Sequence, residues 1–150
     1  GISGYYELTE STEPKSSELV ASWIKVRQKI VAFRLENKIS IPILFTEIGY
    51  ASQDGCASKP WNYYLTDKID LAEQKQCYDA FIKVWNKHPH LGGVYFYEWW
   101  GKGGKSDNRY TPRGKPAQKS IENWYRKLNG TKSSPDTQSK KSKTARAEKP

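Results

Sequence analysis

The chain has 150 residues, 36% of them hydrophobic and 27% charged, which is room for one globular domain with a fair core and a polar appendage. No apolar run approaches the roughly 20 residues of a membrane-spanning helix, so no transmembrane segment is expected. Of the net charge of +9, the stretch from Asn129 to Pro150 supplies +4 (five Lys and one Arg against one Asp and one Glu); the other +5 is spread along the body, so the charge marks no nucleic-acid-binding face.

In chain order, residues 1–8 read as the end of a strand. A polar loop with Pro14 follows, and Ser16 and Ser17 are capping residues for a helix from Glu18 to about Asn37. Its Leu19, Trp23, Ile30 and Val31 keep helical spacing. Ile41–Phe45 is a continuous apolar run, which suits a strand buried on both faces, with Pro42 tolerated only near its start. The loop from Ala51 to Ile69 is long and carries Trp61, Tyr63 and Tyr64, a combination common in functional loops. Asp70 and Glu73 form a D-x-x-E start signal for a second helix, which runs to about Lys87 and stops before Pro89. Gly92 and Gly93 lead into a third strand, Val94 to Trp100. A charged, glycine-rich loop precedes a last helix that opens at Pro116, carries an Ala117, Ile121, Trp124 and Leu128 stripe, and ends at Gly130. From Thr131 the composition is Ser, Lys, Thr, Pro and Glu, which can bury no face and reads as disordered.

Strands alternating with helices imply βαβ units and a parallel sheet. Three units fill about 130 residues, against about 250 for a complete eight-unit barrel. The chain is therefore half a barrel by length or a small open α/β sheet. The absence of Met and the initial Gly read as numbering that begins inside a longer or processed chain, so the compartment stays open. Cys56 and Cys77 make neither a disulfide framework nor a zinc site; they pair or stay as two buried thiols. His88 and His90 flank Pro89 without a carboxylate or Cys at ligand spacing, so no metal is expected, and no cofactor either.

In α/β folds the chemistry lies at the carboxyl ends of the strands. Tyr5 and Tyr6, then Glu47, then Trp99 and Trp100 occupy those places. Glu47 directly after an apolar strand is either a functional carboxylate or a rim residue paired with a cation. Strict alternation puts Glu47 on the same face as Phe45 and Ile43, and puts Trp99 with Tyr97 and Tyr95. Glu98 then points away and reads as a partner for a nearby cation. The aromatic content, six Trp and ten Tyr, fits both an aromatic core and a sugar-stacking cleft.

Taken together, Thr46-Glu-Ile-Gly-Tyr50, Ser52, Pro60-Trp61, Gln74, Gly93-Val-Tyr-Phe-Tyr-Glu-Trp99, Tyr110-Thr-Pro112, Gly114-Lys-Pro-Ala117 and Trp124-Tyr125 resemble glycoside hydrolase family 113, TIM-barrel enzymes with β-mannanases among them. The resemblance covers residues 1 to about 128. It implies an α/β fold made of the C-terminal part, about strands six to eight, of a (β/α)8 barrel over residues 1–129, followed by a disordered basic tail over 130–150. Gly4-Tyr5-Tyr6-Glu7-Leu8 resembles the sixth strand, where the family more often has Pro at the place of Glu7.

The resemblance also implies roles. Glu47 matches the catalytic nucleophile of a retaining, two-carboxylate glycosidase acting on a polysaccharide or oligosaccharide such as β-mannan. Tyr5 matches a tyrosine that hydrogen-bonds the nucleophile, with Tyr6 in that role if the register is shifted by one. Trp99 matches the aromatic platform under the sugar, and Trp61 and Tyr50 match the cleft wall; Trp100, next to Trp99 at the strand end, is a further candidate for substrate binding. A tyrosine hydroxyl donating to a carboxylate favours its ionised form. The acid/base glutamate belongs to strand four, so the expected partner is a missing N-terminal barrel half, and the isolated chain is expected to be inactive. The alternatives are a catalytically dead carbohydrate-binding remnant of the same barrel, and an unrelated α/β domain that binds anionic polymers through its basic tail.

Overall fold

The computed structural model describes residues 1–128 and Gly130. Three parallel strands, β1 (Ile2–Ser3), β2 (Ile43–Ile48) and β3 (Leu91–Phe96), lie side by side in the order β1-β2-β3. The helices α1 (Ser16–Glu36), α2 (Leu71–Trp85) and α3 (Pro116–Leu128) alternate with them, α1 packing on α2 and α2 on α3. The tail expected from residue 130 onward lies outside the described residues, apart from Gly130 itself.

All three helices cover one face of the sheet. Phe45 of β2 is fully buried and meets Trp23 of α1 and Phe81 and Trp85 of α2 edge-on, with ring centroids 6.2, 5.2 and 4.8 Å away. Phe96 of β3 meets Phe81 and Trp124 of α3 in the same manner. The opposite face is bare: Leu44 and Thr46 of β2 are exposed, and Tyr95 of β3 is 66% exposed. Strands in sequential order with helices on one side are the arrangement of a barrel segment; a doubly wound sheet reverses its order and carries helices on both faces.

Several element bounds differ from the sequence expectation. Helix α1 begins at Ser16, and the cap is the Glu18 carboxylate accepting from the Lys15 N–H at 3.2 Å. Strand β3 begins three residues early and includes both glycines. A Cβ on Gly92 would come within 2.6 Å of the Pro42 Cβ, so the close approach of β2 and β3 there requires glycine. It ends at Phe96, so Tyr97 to Trp100 form the loop after the strand rather than its last residues. At the start of α2 the Asp70 carboxylate accepts from Ala72 N and Glu73 N at 2.9 and 2.8 Å. Glu73 does not return the bond. Buried, it accepts from Gly55 N and Ala57 N at 2.7 and 2.9 Å, and so clamps the long loop to the helix.

Candidate active site

The strand register decides where Glu47 points. Phe45 pairs with Val94 and Ile48 with Phe96, so three steps along β2 oppose two along β3, and one extra residue is inserted around Thr46 and Glu47. The β1 side shows the same excess, with Ile2 opposite Phe45 and Ser3 opposite Glu47. Such a bulge breaks alternation and re-aims the side chain it carries. Phe45 and Ile48, three positions apart, are therefore both buried in the core. Glu47 instead lies beside the hydroxyl of Tyr5 and raises its proton affinity. The expectation that Glu47 shares the face of Phe45 and Ile43 is corrected by this insertion.

The backbone supports the pair. Gly4 N donates to Glu47 O at 2.7 Å, which sets Tyr5 beside the carboxylate. Burial, and then the adjacent Glu47 carboxylate, push the Tyr5 hydroxyl well above its ordinary value, so it stays protonated as a donor. Its ring meets Tyr97 and Tyr110 edge-on at 6.3 and 6.2 Å, and those two rings meet each other at 5.4 Å. Tyr97 N donates to Ile48 O at 2.8 Å, and a Cβ on Gly49 would lie 2.3 Å from Tyr97 O. Glycine after the Glu47-Ile48 step thus lets the loop after β3 close over β2.

Beyond this aromatic cluster opens a cavity of about 490 Å³ bounded by Tyr63, Tyr97, Glu98, Trp100, Asp107, Arg109 and Tyr110. Tyr110 is buried and its hydroxyl donates to Pro60 O at 2.6 Å, joining the loop after β2 to the loop after β3. The Arg109 guanidinium stands over the Tyr64 ring at 5.2 Å and the Tyr63 ring at 6.0 Å. The Glu98 carboxylate acts on the neighbouring Tyr97 hydroxyl and raises its proton affinity. Glu98 therefore lines the cavity, where strict alternation turns it away.

A buried lysine holds the rim together. The Lys115 ammonium donates to Ser52 Oγ at 2.8 Å, Asp107 Oδ1 at 3.0 Å and Arg109 O at 2.8 Å. Ser52 Oγ donates onward to Asp107 O at 2.7 Å. Burial lowers the proton affinity of Lys115, which Asp107 partly restores. Partial burial opposes ionisation of Asp107, but the Arg109 N–H and Lys115 outweigh it and hold the carboxyl below its ordinary range.

The predicted site residues divide. Tyr5 and Glu47 come together. Tyr6 turns to the other side and packs its ring on Trp23 at 5.7 Å. Tyr50 is fully buried, accepting from Trp23 Nε1 at 3.2 Å and packing on Tyr78, so it supports the site from beneath instead of forming its wall. Trp61, Trp99 and Trp100 remain on the loops at this end of the sheet, 51%, 37% and 81% exposed. The Trp99 carbonyl is fixed by Arg113 at 2.8 Å. Asp107, Arg109, Tyr110 and Lys115 carry the rim but were not assigned roles from sequence; the only signal was the Tyr110-Thr-Pro112 and Gly114-Lys-Pro-Ala117 motifs. A separate, mainly apolar cavity of about 460 Å³, between α1 and the start of β2, is lined by Phe33, Ile39, Ile41 and Leu44 together with Lys29 and Arg34.

The chain matches the model of Glycoside Hydrolase Family 113 over residues 1–115. Among solved structures it is similar to a family 113 β-1,4-mannanase, with 25% identity and a TM-score of 0.66, over 83% of this chain and 37% of that one. A complex structure of a family 113 β-1,4-mannanase, at 24% identity and TM-score 0.66, is matched over the same shares. A family 113 β-mannanase from Alicyclobacillus acidocaldarius in complex with ManMIm, at 23% identity and TM-score 0.62, is matched over 71% of this chain and 35% of that one. The last two likenesses speak for the fold. The chain spans little more than a third of the length of these structures, and no curated protein matches it.

Proposed function

The chain belongs to glycoside hydrolase family 113, and on that premise we propose that it forms the part of a retaining β-mannan-cleaving barrel that carries the nucleophile, Glu47. The observation behind this reading is the bulge at the end of β2, which takes a carboxylate out of the alternating pattern and sets it beside the Tyr5 hydroxyl, whose ring packs on Tyr97 and Tyr110 of the aromatic cavity. Three strands of the barrel are β1, β2 and β3, in the places of strands six to eight. The bare sheet face at Leu44, Thr46 and Tyr95 is the barrel interior, covered when the other strands complete it.

In this mechanism one oxygen of Glu47 attacks the anomeric carbon while the Tyr5 hydroxyl fixes the carboxylate. An acid/base carboxyl about 5–5.5 Å away protonates the leaving oxygen and later takes a proton from water as the glycosyl ester breaks. That second carboxyl comes from the rest of the barrel, so the 150 residues by themselves do not complete the reaction. Trp99 offers a flat face under the sugar, and Trp61 and Trp100 flank it.

The test is the full-length protein on β-1,4-mannan, followed by NMR of the first-formed anomer. Release of the β-anomer first is expected, with none from the 150-residue chain. The α-anomer first would overturn the double-displacement step; mannan binding without cleavage would make the protein a carbohydrate-binding remnant. Within an active protein, Tyr5→Phe is expected to lower kcat by about 10–100-fold, the worth of one hydrogen bond to a charged group. Tyr6→Phe, whose ring lies on Trp23, is expected to leave kcat within about twofold. Equal losses in the two variants would remove Tyr5 from the role.

A further inference from the structure

We propose that Cys56 and Cys77 are a disulfide-forming pair that covalently joins the cleft-bearing loop after β2 to helix α2. Both thiols are free in this structure and buried in one core cluster, at 2% and 0% exposure, where Cys77 acts directly on the Cys56 thiol. Their approach is set by the backbone as well. Glu73 accepts from Gly55 N and Ala57 N, the two residues that flank Cys56, and so presses Cys56 against the first turn of α2. Cys77 lies four residues after Glu73, one helical turn along the same face. The Cys56 backbone is further held in a tight turn, its N–H donating to Gln53 O at 3.1 Å.

The reaction is thiol–disulfide exchange with a low-molecular-weight disulfide such as oxidised glutathione. One cysteine thiolate attacks a sulfur of the oxidant, expels one thiol and leaves a mixed disulfide. The second thiolate then attacks the protein-bound sulfur and expels the other thiol. In sum, two protein thiols lose two protons and two electrons, and the small disulfide is reduced to two thiols. Burial and the neighbouring Cys77 push the Cys56 thiol up, so the thiolate is scarce in the closed fold. Oxidation is therefore slow in the folded protein and fast during folding, before the loop seats. The closed ring spans residues 56–77 and includes Trp61, Tyr63 and Tyr64, so the bond restrains the aromatic loop of the cleft.

The test uses the full-length protein, refolded in a buffer containing oxidised and reduced glutathione, then alkylated, digested and mapped by mass spectrometry. The expected product is the Cys56 peptide linked to the Cys77 peptide, released by dithiothreitol, with a thermal midpoint a few degrees higher before reduction than after. The loop should also resist proteolysis more strongly in the oxidised form. Cys56→Ala and Cys77→Ala should each abolish both the link and the reductant-dependent shift. Recovery of both cysteines as alkylated thiols, or as two separate glutathione adducts, overturns the proposal. The peptide map of the unsubstituted protein decides the matter even where a variant fails to fold.

Discussion

In the full-length protein, Glu47→Gln is expected to lower kcat on β-mannan by on the order of 10⁴-fold, the scale of losing a nucleophile that acts within a catalytic unit. The amide keeps the volume and can still accept from the Tyr5 hydroxyl, so the fold should survive with an unchanged thermal midpoint. What it loses is the negative oxygen that forms the glycosyl ester in the proposed mechanism. Glu47→Ala separates this role from mere positioning. A small external anion such as azide can then enter the vacated space and attack from the same face, giving a glycosyl azide of inverted configuration. Steady-state assays with and without azide, together with NMR of the product, make the check. Near-normal turnover in Glu47→Gln would exclude the residue as nucleophile, and the bulge at β2 would then serve only to seat Tyr5.

Lys115→Met is expected to destabilise the protein by about 3 kcal/mol, the lower end of the cost of removing one member of a buried ion pair. The Lys115 side chain is wholly buried, whereas Asp107 keeps 18% of its side-chain exposure, so water relieves part of the loss. Three acceptors lose their donor at once, on Ser52, Asp107 and Arg109. Because those residues join the loop after β2 to the loop after β3, the same change should also loosen the cleft wall.

The pH dependence gives a second readout of the same pair. Asp107 has its folded proton affinity held below the ordinary 3.8, so its stabilisation is complete above that value and is lost as pH falls through the lower folded one. Lys115 is lowered from 10.5 by burial, so between its folded value and 10.5 the unfolded state binds more protons and stability rises with pH. In Lys115→Met the alkaline slope should vanish and the acid slope should shrink. Urea melts at acid, neutral and alkaline pH would show this; unchanged slopes would mean that the pair contributes nothing to folding.

Much of the architecture is written in local pattern. The apolar run at Ile41–Phe45, the helical stripe of Ala117, Ile121 and Trp124, and the stop at Pro89 depend on residues a few positions apart, and the alternation of elements then implies parallel crossovers. The place of Glu47 after a buried run was legible for the same reason. Its direction was not. Alternation assigns it to the face of Phe45, and only the pairing with Val94 and Phe96 reveals the inserted residue that turns it toward Tyr5.

Residues whose partners lie far along the chain were misread or passed over. Tyr50 looks like a cleft aromatic by its position after the strand, yet Trp23, 27 residues earlier, takes its hydroxyl into the core. Glu73 looks like half of a capping box, yet it serves Gly55 and Ala57 in the preceding loop. Lys115 sits in a polar stretch that local hydropathy reads as surface, yet Ser52, 63 residues away, receives it in a buried site. Composition and short-range periodicity determined which segments are strands and helices, and the order of motifs determined the family. Tertiary structure decided which way Glu47 points, which tyrosine meets it and which charge is buried, because register, burial and ion pairing are set between segments that the sequence keeps apart.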